Sequence, residues 1–324
     1  MKLKNLDEDI LVAEIIRDFS PNRGILESGI GDDAAVVRCG KDRILLSKDL
    51  LIEEVHFLQE IHPPRLLGRK SLSVNISDIA AMGGRPESAL LGLGLPPDIS
   101  PDWVKEFFSG FRSCLKENKI FLIGGDISRS KKIVISVTIT GKAGKILRRS
   151  GAASGDAVYV SGSLGDAAFG LELLKKRNHP DENHTQSRLF QAFLDPSPRV
   201  ELGNYLAENQ LASALMDLSD GLSRDLPRLC SMSRTGAEIT ADKIPLSEAL
   251  KKHSPNPLRY AVHGGEDYEL LFTVPPSKEK KILSLQDRFS LTRIGRITAT
   301  PEIWLVDENG VRTGLKPEGF AHFE

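Results

Sequence analysis

The strongest constraint on this chain is a recurring punctuation: apolar runs that end in acids flanked by glycine or serine. It reads "GIGDD" (Asp32, Asp33), "SKD" (Asp49), "NISD" (Asp78), "GGD" (Asp126), "DLSD" (Asp217, Asp220) and "GGED" (Glu266, Asp267). Scattered surface acids do not favour such contexts. A ligand site does, because strand ends converge in α/β architectures. Carboxylates gathered in one place repel one another unless cations offset them. Hard divalent ions such as magnesium prefer oxygen ligands, and several of them could carry and orient a polyphosphate.

Each acid also has a plainer reading. One of Asp32 and Asp33 could cap a turn, and Asp49 could be a turn residue. Asp78, inside an expected helix, could be a buried cap partner. "DLSD" is expected to place Asp217 and Ser219 on one side of a strand end, with Asp220 opening the turn.

The segments between the corners predict the fold. With 324 residues, 40% hydrophobic and 27% charged, the chain suits two folded domains. Helices are expected over 6–18, 63–84, 100–118 and 277–289. In the third, Ser100 caps and Pro101 starts the helix. Strands are expected at 43–49 (ending at a polar turn), 88–96, 119–126, 132–141, 268–275 and near 292–297 and 302–307. A strand, turn and helix are expected in 148–174 and again in 214–230. The polar stretch within 175–198 reads as a surface connection. The expectation is an α/β (α+β) chain with a sheet-rich N-terminal domain, 1–148, and a C-terminal α/β domain, 149–324.

Lys plus Arg is 43 against 44 Asp plus Glu, a formal charge of -1. That balance argues against a nucleic-acid partner and leaves anionic ligands to be held locally. Three dispersed cysteines, Cys39, Cys114 and Cys230, suit a reducing compartment and not a structural zinc site. "MKLKNLDEDI" does not read as a secretory signal, and no apolar run is long enough for a membrane span. The expected compartment is the cytoplasm. A phosphate-binding Gly-x-x-x-x-Gly-Lys-Ser/Thr loop is absent, as are protein-kinase motifs and a dinucleotide Gly-x-Gly-x-x-Gly after a strand.

Taken together, "GIGDDAAVV", "LSKDLLIEEVHF", "LGRKSLSVNISDIAAMGGRP", "LIGGDISRS", "VSGSLGDAAFGLELL", "MDLSDGLSRDL", "GGEDYELLFTV" and "IGRI" resemble the thiamine-monophosphate kinases. Those belong to the aminoimidazole ribonucleotide synthetase-like superfamily. The resemblance runs from about residue 5 to the C-terminus. It implies a homodimer paired through its N-terminal sheets, with ATP in a cleft between domains. It also implies transfer of the ATP γ-phosphoryl group to thiamine monophosphate, assisted by several magnesium ions. On this pattern Asp33, Ser47, Asp49, Asp78, Asp126, Asp217 and Asp220 fall on metal positions. Asp33, Lys48, Gly125, Asp126, Arg149 and Ser219 fall on ATP contacts, and His56, Glu266 and Phe320 on substrate contacts.

For Arg149, His56 and Phe320 the plainer readings are a solvated loop arginine, a hydrogen-bonded linker and tail packing. Two positions depart from the family's pattern. Lys48 replaces a hydroxyl in "SKD", and Ile127 replaces a hydroxyl after "GGD". No catalytic base is expected, since the second pKa of a phosphate monoester, about 6, leaves the acceptor largely dianionic at neutral pH. The alternatives are another ATP-dependent enzyme of the superfamily, such as selenophosphate synthetase, and a non-catalytic thiamine-phosphate or ATP binder.

Overall fold

The computed structural model describes residues 8–19, 24–177 and 187–318. The first half contains α1 (Glu8–Phe19), β1 (Leu26–Ser28), β2 (Ala35–Cys39), β3 (Asp42–Ile52), α2 (Pro64–Ala81), β4 (Arg85–Leu95), α3 (Pro101–Asn118), β5 (Phe121–Arg129) and β6 (Val134–Lys142). Its strands form a six-stranded sheet in the order β1-β2-β3-β6-β4-β5. Only β4 and β5 pair in parallel. One face packs on α2 through alternate residues such as Leu91, Leu93, Ile135, Val137 and Ile139, all buried.

Helix α3 starts as its residues dictate. The Ser100 hydroxyl accepts from the Trp103 N–H at 3.1 Å and Pro101 occupies the first turn. Trp103 then stacks on Phe107, with ring centroids 5.4 Å apart.

Helix α2 is buried on nearly every side, between the sheet, α3 and elements of the second half. Close approach to α3 depends on two glycines. A Cβ on Gly68 would sit 2.1 Å from the Phe107 carbonyl oxygen, and one on Gly110 1.7 Å from that of Arg65. Enclosure forces the polar residues of α2 to find partners. The Ser71 hydroxyl donates to the Gly68 carbonyl and the Asn75 amide to the Ser71 carbonyl, each at 3.0 Å.

The second half contains β7 (Ala157–Ser161), α4 (Asp166–Arg177), α5 (Arg188–Leu194), α6 (Val200–Glu208), β8 (Ala214–Asp217), α7 (Leu222–Ser233), β9 (Gly236–Thr240), α8 (Glu248–His253), α9 (Pro257–His263), β10 (Leu270–Val274), α10 (Pro276–Leu283), α11 (Gln286–Phe289), β11 (Leu291–Thr298), β12 (Ile303–Val306) and β13 (Arg312–Gly314). The strands form a seven-stranded sheet, β13-β12-β9-β11-β7-β10-β8, parallel only at β12–β9. The architecture is mixed α/β with largely antiparallel sheets.

Several sequence expectations are corrected. β3 does not stop at Asp49, because the apolar Leu50–Ile52 stretch keeps pairing with β6. β5 runs through Gly124 and Gly125 to Arg129. The expected surface connection within 175–198 includes α5, whose Leu189, Phe190, Phe193 and Leu194 are buried; 178–186 lies outside the described residues. The expected helix over 277–289 breaks at Ser284 into α10 and α11. β8 ends at Asp217, so Ser219 lies beyond the strand.

Candidate active site

Three acids from distant segments meet where α2 passes the end of β8. One carboxylate oxygen from each of Asp33, Asp78 and Asp217 lies within 4.8 Å of the others. Asp33 comes from the loop before β2, Asp78 from the last turn of α2, and Asp217 ends β8. Arg149 braces the first of them: its Nη2 and Nε donate to Asp33 Oδ1 at 2.6 and 3.2 Å. Its backbone N–H donates to Asp32 Oδ1 at 2.8 Å, and the Ser28 hydroxyl to Asp32 Oδ2 at 3.2 Å. The other Asp33 oxygen, Oδ2, is buried with no hydrogen-bond partner.

Two serines hold the remaining pair. The Ser47 hydroxyl donates to Asp78, and the Ser77 hydroxyl to Asp217 at 2.5 Å. Asp49 borders the cluster, its backbone N–H donating to the Asn75 side chain at 3.1 Å. Burial pushes the Asp49 carboxyl up to about 6. Burial, then the charges of Asp49, Asp217 and Asp33, pushes Asp78 well above the carboxylate range. Asp217 is raised by burial and by Asp33, against the Ser77 hydrogen bond. Carboxyls crowded this way favour a proton or a cation. An unpartnered buried oxygen among hard oxygen donors fits a divalent ion such as magnesium.

Two other expected residues do not join the cluster. In the sheet register Lys48 stands one residue out of phase with Ser47 and Asp49, and its ammonium donates to the Ser136 hydroxyl at 2.5 Å. Asp126 pairs with Gly92, which pairs with Ser136, so Asp126 shares the Lys48 face. It is exposed, as is all of β5. Gly125 lies beside Leu91, whose carbonyl oxygen would be 1.9 Å from an added Cβ.

The loop after β8 lies against the "GGED" loop. The Glu266 N–H donates to the Ser219 carbonyl at 2.7 Å, and the Tyr268 N–H to the Leu218 carbonyl at 2.8 Å. Asp220 accepts from Arg228 Nη1 at 2.5 Å, and its N–H donates to Asp225 at 3.0 Å. Burial, then Asp220, pushes the Asp225 carboxyl up to about 7. His56 closes the turn after β3: its Nδ1 accepts from the Ile52 N–H at 3.0 Å. Glu266 meets the buried ammonium of Lys70. Phe320 lies outside the described residues.

Sequence reading missed Lys70, Asn75, Ser77, Asp225 and Arg228. For the first three a signal existed, since polar side chains interrupt a helix otherwise apolar enough to be buried. Their partners, up to 196 positions away, gave none.

Two family models match. The N-terminal domain of AIR synthase related proteins covers residues 31–143, and the C-terminal domain 153–307. A thiamine-monophosphate kinase of Aquifex aeolicus (strain VF5) is 39% identical over 328 residues, spanning 100% of both chains. One of Escherichia coli (strain K12) is 37% identical and covers 97% of each. A solved structure of AaThiL complexed with AMPPCP and TMP superposes with a TM-score of 0.87 at 36% identity, covering 99% of both chains. The hydrogenase maturation protein HypE in complex with ATP shares the fold, with a TM-score of 0.71 at 17% identity over 97% of this chain and 95% of that one.

Proposed function

The chain belongs to the thiamine-monophosphate kinase family, and we propose that Asp33, Asp49, Asp78 and Asp217 form the centre where its two phosphate-bearing substrates meet. It is an ATP-dependent phosphotransferase that passes the γ-phosphoryl group to thiamine monophosphate, giving thiamine diphosphate and ADP. The observation that carries the assignment of the centre is the meeting of Asp33, Asp78 and Asp217, with an Asp33 oxygen buried and unpaired.

The difficulty of the reaction is electrostatic, because one anion must approach another. Magnesium held by these acids and the Ser47 hydroxyl would screen that repulsion and orient the phosphates for in-line transfer. Asp78 and Asp217 keep their geometry through Ser47 and Ser77. Arg149 is aligned by Asp33 and, in this reading, forks toward nucleotide phosphate. Ser219 and Gly125 belong to the nucleotide side, and Asp220 is an outer acid restrained by Arg228. No side chain has to take a proton from a dianionic acceptor. His56 and Glu266 serve the organic part of thiamine monophosphate, where a carboxylate suits the cationic thiazolium.

The domain boundary we propose lies at 148/149, between the sheets. We also propose a homodimer, supported by the exposed apolar side chains of the edge strand β5, and a cytoplasmic setting, supported by cysteines that are all free.

The test is product analysis of the purified chain with ATP, magnesium and thiamine monophosphate, alongside Asp78→Asn. Thiamine diphosphate should form, and Asp78→Asn should lower kcat at least about a hundredfold while keeping a native circular-dichroism spectrum. No thiamine diphosphate from the wild type would overturn the reading.

A further inference from the structure

Lys70 is among the most enclosed side chains of the protein, its side chain 1% exposed. Its ammonium donates to the Phe193 carbonyl at 2.8 Å and to Glu266, and lies 3.7 Å from the centroid of the Phe193 ring. A cation this deep in a protein needs such compensation. Glu266 answers it with one carboxylate oxygen, while its side chain stays 27% exposed. The backbone under Glu266 is also fixed. Its φ of 69° lies in the left-handed region, as does the 49° of Tyr268, and both N–H groups are tied to the loop after Asp217. Main chain and side chain are therefore pinned from two directions.

Lys70 and Ser77 lie two turns apart on one face of α2, about 10 Å along its axis. Ser77 holds Asp217 of the acidic centre, and Lys70 holds Glu266. The helix thus sets the separation between the phosphate end of the site and the carboxylate that faces the organic end. The acceptor is two-ended in the same way, with an anionic phosphate joined to a cationic heteroaromatic.

We infer that Lys70 is the positioning residue for acceptor recognition: it holds Glu266 in one rotamer, at a distance from the acidic centre that α2 fixes. This rests on the reading of Glu266 as the contact for the acceptor's cation. It predicts selective damage. Loss of Lys70 frees Glu266 to turn, which weakens acceptor binding, whereas the ATP side and the acidic centre keep their own supports.

The experiment is steady-state kinetics on the full chain for wild type, Lys70→Met, Lys70→Gln, Lys70→Arg, Glu266→Gln and the Lys70→Met/Glu266→Gln pair, varying thiamine monophosphate and ATP separately. Lys70→Met should raise KM for thiamine monophosphate about tenfold, with kcat and KM for ATP within about twofold. Lys70→Arg, which keeps the charge, should recover much of that loss. The double variant should be no worse than Glu266→Gln alone, because the two residues act as one unit. If Lys70→Met does not fold, Lys70→Gln carries the comparison with the same expected outcome. An unchanged acceptor KM in the Lys70 variants beside a raised one in Glu266→Gln would overturn the role of Lys70 alone. Unchanged acceptor KM in Glu266→Gln would overturn the reading of Glu266 and the inference with it. Equal losses in kcat and both KM values, not recovered by arginine, would reduce Lys70 to a structural residue.

Discussion

The Ser77 hydroxyl donates to Asp217 Oδ2 at 2.5 Å, a hydrogen bond between residues 140 apart in sequence that joins α2 to the end of β8. Whatever the carboxyl's protonation, this hydrogen bond aims the oxygens of a proposed metal ligand. Ser77→Ala should lower kcat/KM by about tenfold and raise the magnesium concentration for half-maximal rate, since supports behind metal ligands typically alter affinity by about 10–100-fold. Kinetics across a magnesium titration decide this. An unaltered magnesium dependence would separate Ser77 from the metal.

The acidic centre should make stability depend on pH and on magnesium together. Burial raises Asp49 to about 6 in the folded chain, and raises Asp78 and Asp217 in the same direction. An unfolded aspartate titrates near 3.9. Without divalent ions, the folded state therefore binds protons that the unfolded chain has released. That stability is present below about pH 4 and is lost as pH rises through about 6 for Asp49, and the raised Asp78 and Asp217 act in the same direction. Magnesium competes with those protons, so its stabilising effect should grow as pH rises. Thermal melts with and without magnesium should differ little near about pH 5 and by several degrees near about pH 8. A magnesium effect that is constant with pH would place the ion elsewhere.

Local signals in the sequence were reliable where one residue acts on its neighbours. Ser100 and Pro101 start α3 as their chemistry requires. Three of the acids at those corners, Asp33, Asp78 and Asp217, meet, whereas Asp126 stands exposed on β5. What they could not reveal was the face of the sheet. A strand alternates sides, and only pairing registers show that Ser47 turns inward while Lys48 reaches Ser136. Asp49 looked like a turn residue because an acid interrupts the run, yet pairing with Val137 carries the strand past it. α5 was hidden beside a polar stretch, and its buried face becomes legible only once the floor beneath it, including Lys70, is in place. Lys70 and Glu266 are 196 positions apart, so only the fold could join them.

The Lys48 register carries its own prediction. Its ammonium is bound to the Ser136 hydroxyl on the outward face, away from Asp49 and Asp78. Exposed polar substitutions away from special features usually change stability by less than about 0.5 kcal/mol. Lys48→Thr should thus leave kcat, both KM values and the melting temperature near wild type, within about twofold for the rates. Loss of turnover in this variant would make Lys48 part of the reaction and would require its side chain to serve a ligand from the outer face.

β5 makes the last prediction. It is a sheet edge that exposes Phe121 at 74%, Ile123 at 61% and Ile127 at 65%. Long apolar edges are normally covered or charged, because open N–H and C=O groups invite another strand. A second copy of the chain would cover this one, and stable pairing needs about 800 Å² from each partner. Gly125 lies on the same strand, so an occupied edge would also steady a residue assigned to the nucleotide side. Ile123→Lys should weaken a dimer by at least about a hundredfold and shift the solution mass to that of one chain at micromolar concentration. Light scattering after size-exclusion chromatography reads the mass. The same samples should show a raised KM for ATP, with the melting temperature of the isolated chain kept. A wild type that is monomeric at those concentrations would remove the dimer. A monomeric variant with an unchanged KM for ATP would leave β5 as an interface without a part in nucleotide binding.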